Sequence, residues 1–170
     1  RLAAKAFAHT AAYDGAIASY LSREEGDALY PQYLTLTFEK GYKLRYGENP
    51  HQNGAFYRER AAAPGSLSLA ESLGAGGKEL SFNNFVDVQA ALDAVREHDA
   101  ARSAACVIVK HTNPCGTASA SSLEEAYRIA RDAEPVSAFG GIVALNRDVD
   151  AVTAKAMSEI FLECIVAPSF

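Results

Sequence analysis

Ala104-Ala105-Cys106-Val107-Ile108-Val109 runs without a single polar interruption, and no other stretch of this chain restricts the fold so tightly. A strand with one wet face alternates apolar and polar residues; a strand that does not alternate must be covered on both sides. Ile142-Val143-Ala144-Leu145 is a second such stretch, and Cys164-Ile165-Val166-Ala167, closed by Pro168, is a third. Helical signals lie between them. Phe85, Val88, Leu92 and Val95 are spaced to make one apolar stripe on a helix. Ser121 and Ser122 precede Glu124 and Glu125 at capping-box spacing, which marks another helix start, and residues 150–159 suit a short third helix. Helices alternating with buried strands predict an α/β fold, three-layered, with a mainly parallel sheet covered by helices.

The first part of the chain reads differently. Leu2, Ala6, Tyr13, Ile17 and Leu21 share one helical face, so residues 2–22 are expected to form an amphipathic helix, broken by Gly26 and Pro31. Residues 33–38 alternate with period two, which predicts a half-buried strand with Leu34, Leu36 and Phe38 inward. The chain turns near Gly41, and the segment after it is too polar for a core strand. Small residues and glycines between 61 and 77 suggest an irregular surface connection. A helical pattern already under way at Arg1, with no initiator Met, suggests a piece of something longer.

Composition excludes several classes of function. At 170 residues, 49% hydrophobic and 22% charged, the chain has the proportions of one globular core. It holds no apolar run of membrane-spanning length and no secretion signal at its start. Three widely spaced cysteines argue against a disulfide framework and fit a reducing compartment, so a cytoplasmic protein is expected. A formal net charge of -5 leaves no basic footprint for nucleic acid.

Chemistry is expected where the central run ends. In open α/β sheets ligands sit outside the carboxyl ends of the strands, and Lys110-His111-Thr112-Asn113-Pro114-Cys115-Gly116 leaves the run there. Lysine offers a compact cation, and histidine exchanges a proton near neutral pH. The competing reading is a solvated loop with a chance histidine.

That segment, together with Leu44-Arg45-Tyr46-Gly47-Glu48-Asn49-Pro50-His51-Gln52 and Ser137-Ala138-Phe139-Gly140-Gly141, resembles in order and spacing the bifunctional purine-biosynthesis family. The stretch from Lys5 to Asp14 is similar to the helix that ends the family's cyclohydrolase domain. The resemblance implies that residues 1–22 follow that domain, absent here, and that residues 23–170 form the first cytidine-deaminase-like unit of the formyltransferase domain, whose second unit is also absent. It implies transfer of a formyl group from 10-formyltetrahydrofolate to the 5-amino group of aminoimidazole carboxamide ribonucleotide (AICAR), in a homodimeric protein that also carries IMP cyclohydrolase activity. A monovalent cation usually accompanies the family; zinc is not expected.

On the same footing, His111 matches the family's general base. Lys110 matches a neighbouring lysine that stabilises the oxyanion or assists the leaving nitrogen, two roles that stay open. Arg45 and Tyr46 match nucleotide-holding residues. Asn84 matches a binding position, though helix capping explains it equally well. Gly140 would admit close backbone approach, or mark a plain turn. Glu163 matches a carboxylate near the nucleotide, or is an edge charge. Two rivals stand beside this reading: an inactive folding and dimerisation scaffold, and a zinc deaminase. Pro114-Cys115 imitates part of the deaminase signature, but position 118 is Ala and His98 is followed by Asp99 and Ala100, so the remaining ligands are missing.

Overall fold

A computed structural model of the chain describes residues 1–24, 30–74 and 79–170; the expected break at Gly26 and the end of the surface connection at Gly77 lie outside the described residues. The chain divides into two compact units, Arg1–Tyr42 with Phe56–Glu71, and Lys43–Ala55 with Ser72–Phe170.

The first unit holds α1 (Leu2–Glu24) and most of a two-stranded sheet of β1 (Phe38–Lys43) and β2 (Ala55–Glu59). The N-terminal helix forms as its periodicity predicts, yet its buried point is Gly15 rather than the Leu/Tyr stripe. A Cβ on Gly15 would stand 2.8 Å from Thr35 Cγ2, so glycine lets the chain at Thr35 cross the helix at close range. That crossing corrects the strand expected over residues 33–38. Residues 34–37 form no strand, with Leu34 72% and Leu36 65% exposed, and pairing starts only at Phe38. Alternation is a weak signal without a partner strand and a core to bury one face.

The second unit is built on β3 (Ala104–Lys110), β4 (Asn113–Ala120), β5 (Ile142–Leu145) and β6 (Cys164–Val166), in the order β4-β3-β5-β6. Residues 104 to 109 are all buried, as an uninterrupted apolar strand requires. Its alternate residues serve two layers. Ala104, Cys106 and Ile108 join Val143 and Leu145 in a cluster with Leu123, Ala126, Tyr127 and Ala130 of α3 (Leu123–Ala133) and Ala156 and Met157 of α5 (Ala151–Met157). Ala105, Val107 and Val109 point the other way, where α2 (Phe82–Arg96) covers β3, β5 and β6 and buries Val88, Ala91 and Val95. A short helix, α4 (Pro135–Ala138), precedes β5.

The expectation of a mainly parallel sheet is corrected. β3 pairs antiparallel with both β4 and β5, and only β5 with β6 is parallel. β4 was concealed in the sequence because it contains Pro114 and Gly116 and its inward positions are only glycine and alanine, so the alternation of its second half carries little apolar signal. Pro114 is tolerated because β4 lies at the sheet edge, opposite Val109 and beside a register shift at Ile108/Val109, where a missing N–H costs least.

The caps follow from sequence. Ser122 accepts the Glu125 N–H at 3.2 Å while Ser121 Oγ donates to Glu125 Oε2 at 2.8 Å, and Asp150 accepts the Thr153 N–H at 2.7 Å. No helix among the described residues is long and apolar enough to cross a membrane.

Candidate active site

Lys110 and His111 do not open a loop. β3 and β4 are a hairpin paired through Lys110 and Asn113, so His111 and Thr112 alone make the turn. Two-residue hairpins favour left-handed conformations that match the twist of the strands, and His111 (φ 53°) and Thr112 (φ 61°) both adopt them. For a β-branched residue this is a strained conformation. Thr112 N–H donates to Asp87 Oδ1 at 2.7 Å, Thr112 Oγ1 donates to His111 O at 2.7 Å, and Asn113 Nδ2 donates to His111 O at 2.8 Å. The His111 side chain is exposed. Lys110 is half-buried, and its ammonium donates to Phe139 O at 2.9 Å.

That carbonyl precedes Gly140, whose φ of 73° is cheap only for glycine. Gly140 N–H donates to Phe161 O at 2.8 Å, and Glu163 N–H donates to Gly141 O at 3.1 Å. Lys110, Gly140 and Glu163 are therefore neighbours at one end of the sheet. β3 gives its carboxyl end there, whereas β5 and β6 give their amino ends, so loops converge at this end without the parallel strands first supposed. Phe139 and Phe161 flank it with ring centroids 5.8 Å apart.

The Arg45-Tyr46 segment belongs to the same unit. Leu44 is its buried anchor; Arg45 N–H donates to Leu80 O at 3.0 Å, and Phe82 N–H donates to Tyr46 O at 3.1 Å. Gly47 N–H closes the motif by donating to Gln52 O at 2.9 Å. Arg45 Nη2 donates to the Tyr46 hydroxyl at 3.2 Å, and the guanidinium carbon lies 4.9 Å from the ring centroid. Hydrogen bonding with Ser81 first, and with Arg45 second, holds the Tyr46 phenol below its ordinary pKa, against burial and, more weakly, the charge of Glu163.

Asn84, left open between ligand and cap, caps α2. Its Oδ1 accepts from Ser81 N and Ser81 Oγ, both at 2.9 Å, and its N–H donates to Ser81 Oγ at 3.2 Å. Ser81 was missed. It is 1% exposed and serves both the cap and Tyr46, yet Ser81-x-x-Asn84 lacks the Glu or Gln that signals a capping box. Asp87 was missed as well, because a carboxylate on an amphipathic helix ordinarily reads as a solvated face.

Among the described residues no group of three or more His, Cys, Asp or Glu could hold a metal ion. Burial pushes the Cys115 thiol above its ordinary pKa, with Lys110 pulling it partly back. His98 is held at the opposite end of β3, its Nδ1 2.9 Å from Ser119 Oγ.

The family model described as AICARFT/IMPCHase bienzyme matches residues 1–170. Proteins named bifunctional purine biosynthesis protein PurH are similar throughout. The one from Sorangium cellulosum is 65% identical over 178 residues, covering 100% of this chain and 34% of its own length. Those from Myxococcus xanthus and Bacillus cereus are 55% and 52% identical, each covering 100% of this chain and 32% of the relative. The chain spans about a third of the length of these curated relatives.

Proposed function

The chain belongs to the AICARFT/IMPCHase bienzyme family, and from that premise we propose that it is the first half of an AICAR formyltransferase region, within a cytoplasmic, homodimeric protein that also carries IMP cyclohydrolase activity. We propose that residues 1–22 continue from the cyclohydrolase domain and that the later residues form a cytidine-deaminase-like unit. The substrates are AICAR and 10-formyltetrahydrofolate. The observation that carries the reading is the ammonium of Lys110, held against the Phe139 carbonyl beside Gly140 and adjacent to the exposed turn residue His111.

The chemistry follows from those positions. The 5-amino nitrogen of AICAR is a weak nucleophile, because its lone pair is delocalised into the ring and carboxamide. As it attacks the formyl carbon, a proton leaves it for His111, whose ring makes no hydrogen bond among the described residues. The carbonyl electrons move to oxygen. They return as the bond to folate N10 breaks, and N10 takes a proton, so that tetrahydrofolate leaves. Lys110 has spent one of three donors on Phe139 O and keeps two for the oxyanion or the leaving nitrogen. Arg45 and Tyr46 suit phosphate oxygens, the first by its planar fork and the second as a phenol already polarised by Ser81 and Arg45. Asn84, held by the Ser81 cap, and Glu163, beside Gly141, border the nucleotide.

In the full-length protein, His111→Ala should lower kcat by about 10²–10⁴-fold with little change in KM for AICAR, because a lost proton acceptor acts on the transition state. Steady-state formyl-transfer kinetics check it. An unchanged kcat would remove His111 from the mechanism, and absence of formyl transfer in the unaltered protein would favour the scaffold reading.

A further inference from the structure

We propose that Asp87 is a positioning residue for His111, acting through the Thr112 backbone; the inference deepens the formyl-transfer reading and rests on it. The turn at His111 and Thr112 uses left-handed conformations at both positions, without the Asn or Gly that ordinarily supplies them. Such a backbone persists only where its surroundings over-determine it. Two of its hydrogen bonds, from Thr112 Oγ1 and Asn113 Nδ2 to the His111 carbonyl, come from within the hairpin. Asp87 reaches it from α2, accepting the Thr112 N–H at 2.7 Å, and a charged acceptor is the stronger kind. This bond fixes the turn relative to another element.

The His111 ring makes no hydrogen bond of its own among the described residues, so its location is inherited from the turn. The first turn of α2 also caps with Ser81 and Asn84, and Phe82 N–H at its start donates to Tyr46 O at 3.1 Å. One helix therefore registers the proton acceptor against the residues proposed to hold the nucleotide.

The test uses the full-length protein with Asp87→Ala, Asp87→Asn, Thr112→Gly and the double variant Asp87→Ala/Thr112→Gly. Removing the acceptor should lower kcat by about ten- to a hundred-fold, the scale of a small misplacement, with KM for AICAR nearly constant. Asn keeps an acceptor oxygen and should retain most of the rate. Glycine enters the left-handed region without strain, so Thr112→Gly should restore much of what Asp87→Ala loses. Amide exchange at Thr112 should accelerate in Asp87→Ala and stay slow in Asp87→Asn.

If the carboxylate acted through its charge, Asn would be as slow as Ala; if it served only stability, the Thr112 change would rescue nothing. Either result overturns the proposal, as does unchanged Thr112 exchange in Asp87→Ala. Should Asp87→Ala fail to fold, Asp87→Asn and its Thr112 exchange still decide. A wild-type protein without formyl transfer would defeat the functional reading, while Thr112 exchange would still report whether Asp87 holds the turn.

Discussion

Tyr46 shows how a residue acquires a role through its neighbours. Its phenol is polarised by Ser81 and Arg45, and Ser81 is itself held by the Asn84 cap, so a helix start and a proposed binding group are one construction. The cysteines show the opposite case. Burial alone drives the Cys106 thiol up to about 12, and burial first, with the charge of Glu163, raises Cys164 against a hydrogen bond to the Ile165 backbone; a thiol that stays protonated is neither a nucleophile nor a good metal ligand. Cys106 should therefore resist alkylation at neutral pH until the protein unfolds, while the half-buried Cys115 reacts first. Mass spectrometry after timed labelling checks this, and labelling of native Cys106 at the Cys115 rate would contradict the packing described for β3.

Between elements, contact distance dominates. Gly116 lies where β4 passes α3, and a Cβ there would stand 1.8 Å from the Ala130 carbonyl oxygen. No rotamer relieves a backbone clash, so Gly116→Ala should destabilise the protein by at least the ~1–3 kcal/mol typical of overpacking. A urea melt measures it, and a midpoint equal to wild type would show that the helix moves aside freely. The same strand marks the limit of what the sequence made legible. β3 and β5 were readable because burial on both faces leaves an unbroken apolar signature, and half-buried β6 kept a shorter apolar run. α1 and α2 were readable from periodicity, and α3 from the cap signal before it. β4 was not, since edge position and a glycine-dependent approach to α3 leave its alternation with little apolar character. Strand direction was unreadable for a related reason. A two-residue connection forces antiparallel pairing, but His111-Thr112 lacks the usual turn residues, so the hairpin read as a ligand loop. Of the proposed site residues, Lys110, His111, Arg45, Tyr46 and Gly140 lie in short motifs, whereas Glu163 was matched by position alone. Asp87 and the Phe139 carbonyl act across elements and leave no local pattern.

For the molecule as a whole, acid stability should rest in part on the ion-pair cluster where Arg128 and Arg131 meet Glu159 at 3.0 and 2.7 Å. Hydrogen bonds from Arg128 first, then Arg131, hold the Glu159 carboxyl below its ordinary value. A depressed carboxylate stabilises the fold above its unfolded pKa, and that contribution is lost as pH falls through the folded value. Thermal unfolding followed downward from neutral pH should thus show a smaller acid loss in Glu159→Gln than in wild type, modest because the pair is half exposed; parallel curves would discount the cluster. Residues 1–170 alone should fold yet transfer no formyl group, because register between two substrates can supply about 7–11 kcal/mol and a half-walled site cannot provide it. Leu2, Phe7, Tyr30 and Tyr33 are 83%, 76%, 90% and 82% exposed, so the same material should self-associate. Sedimentation and a saturating-substrate assay test both, and turnover near that of the full-length protein would refute the half-site assignment. The chain passes from one unit to the other at Tyr42/Lys43, returns at Ala55/Phe56 and leaves again at Glu71/Ser72. No single cut therefore frees either unit. A gene rearrangement that carried off the stretch from Ser72 onward would take Lys110 and His111 but strand Arg45 and Tyr46, so the two parts of the site are inheritable only together.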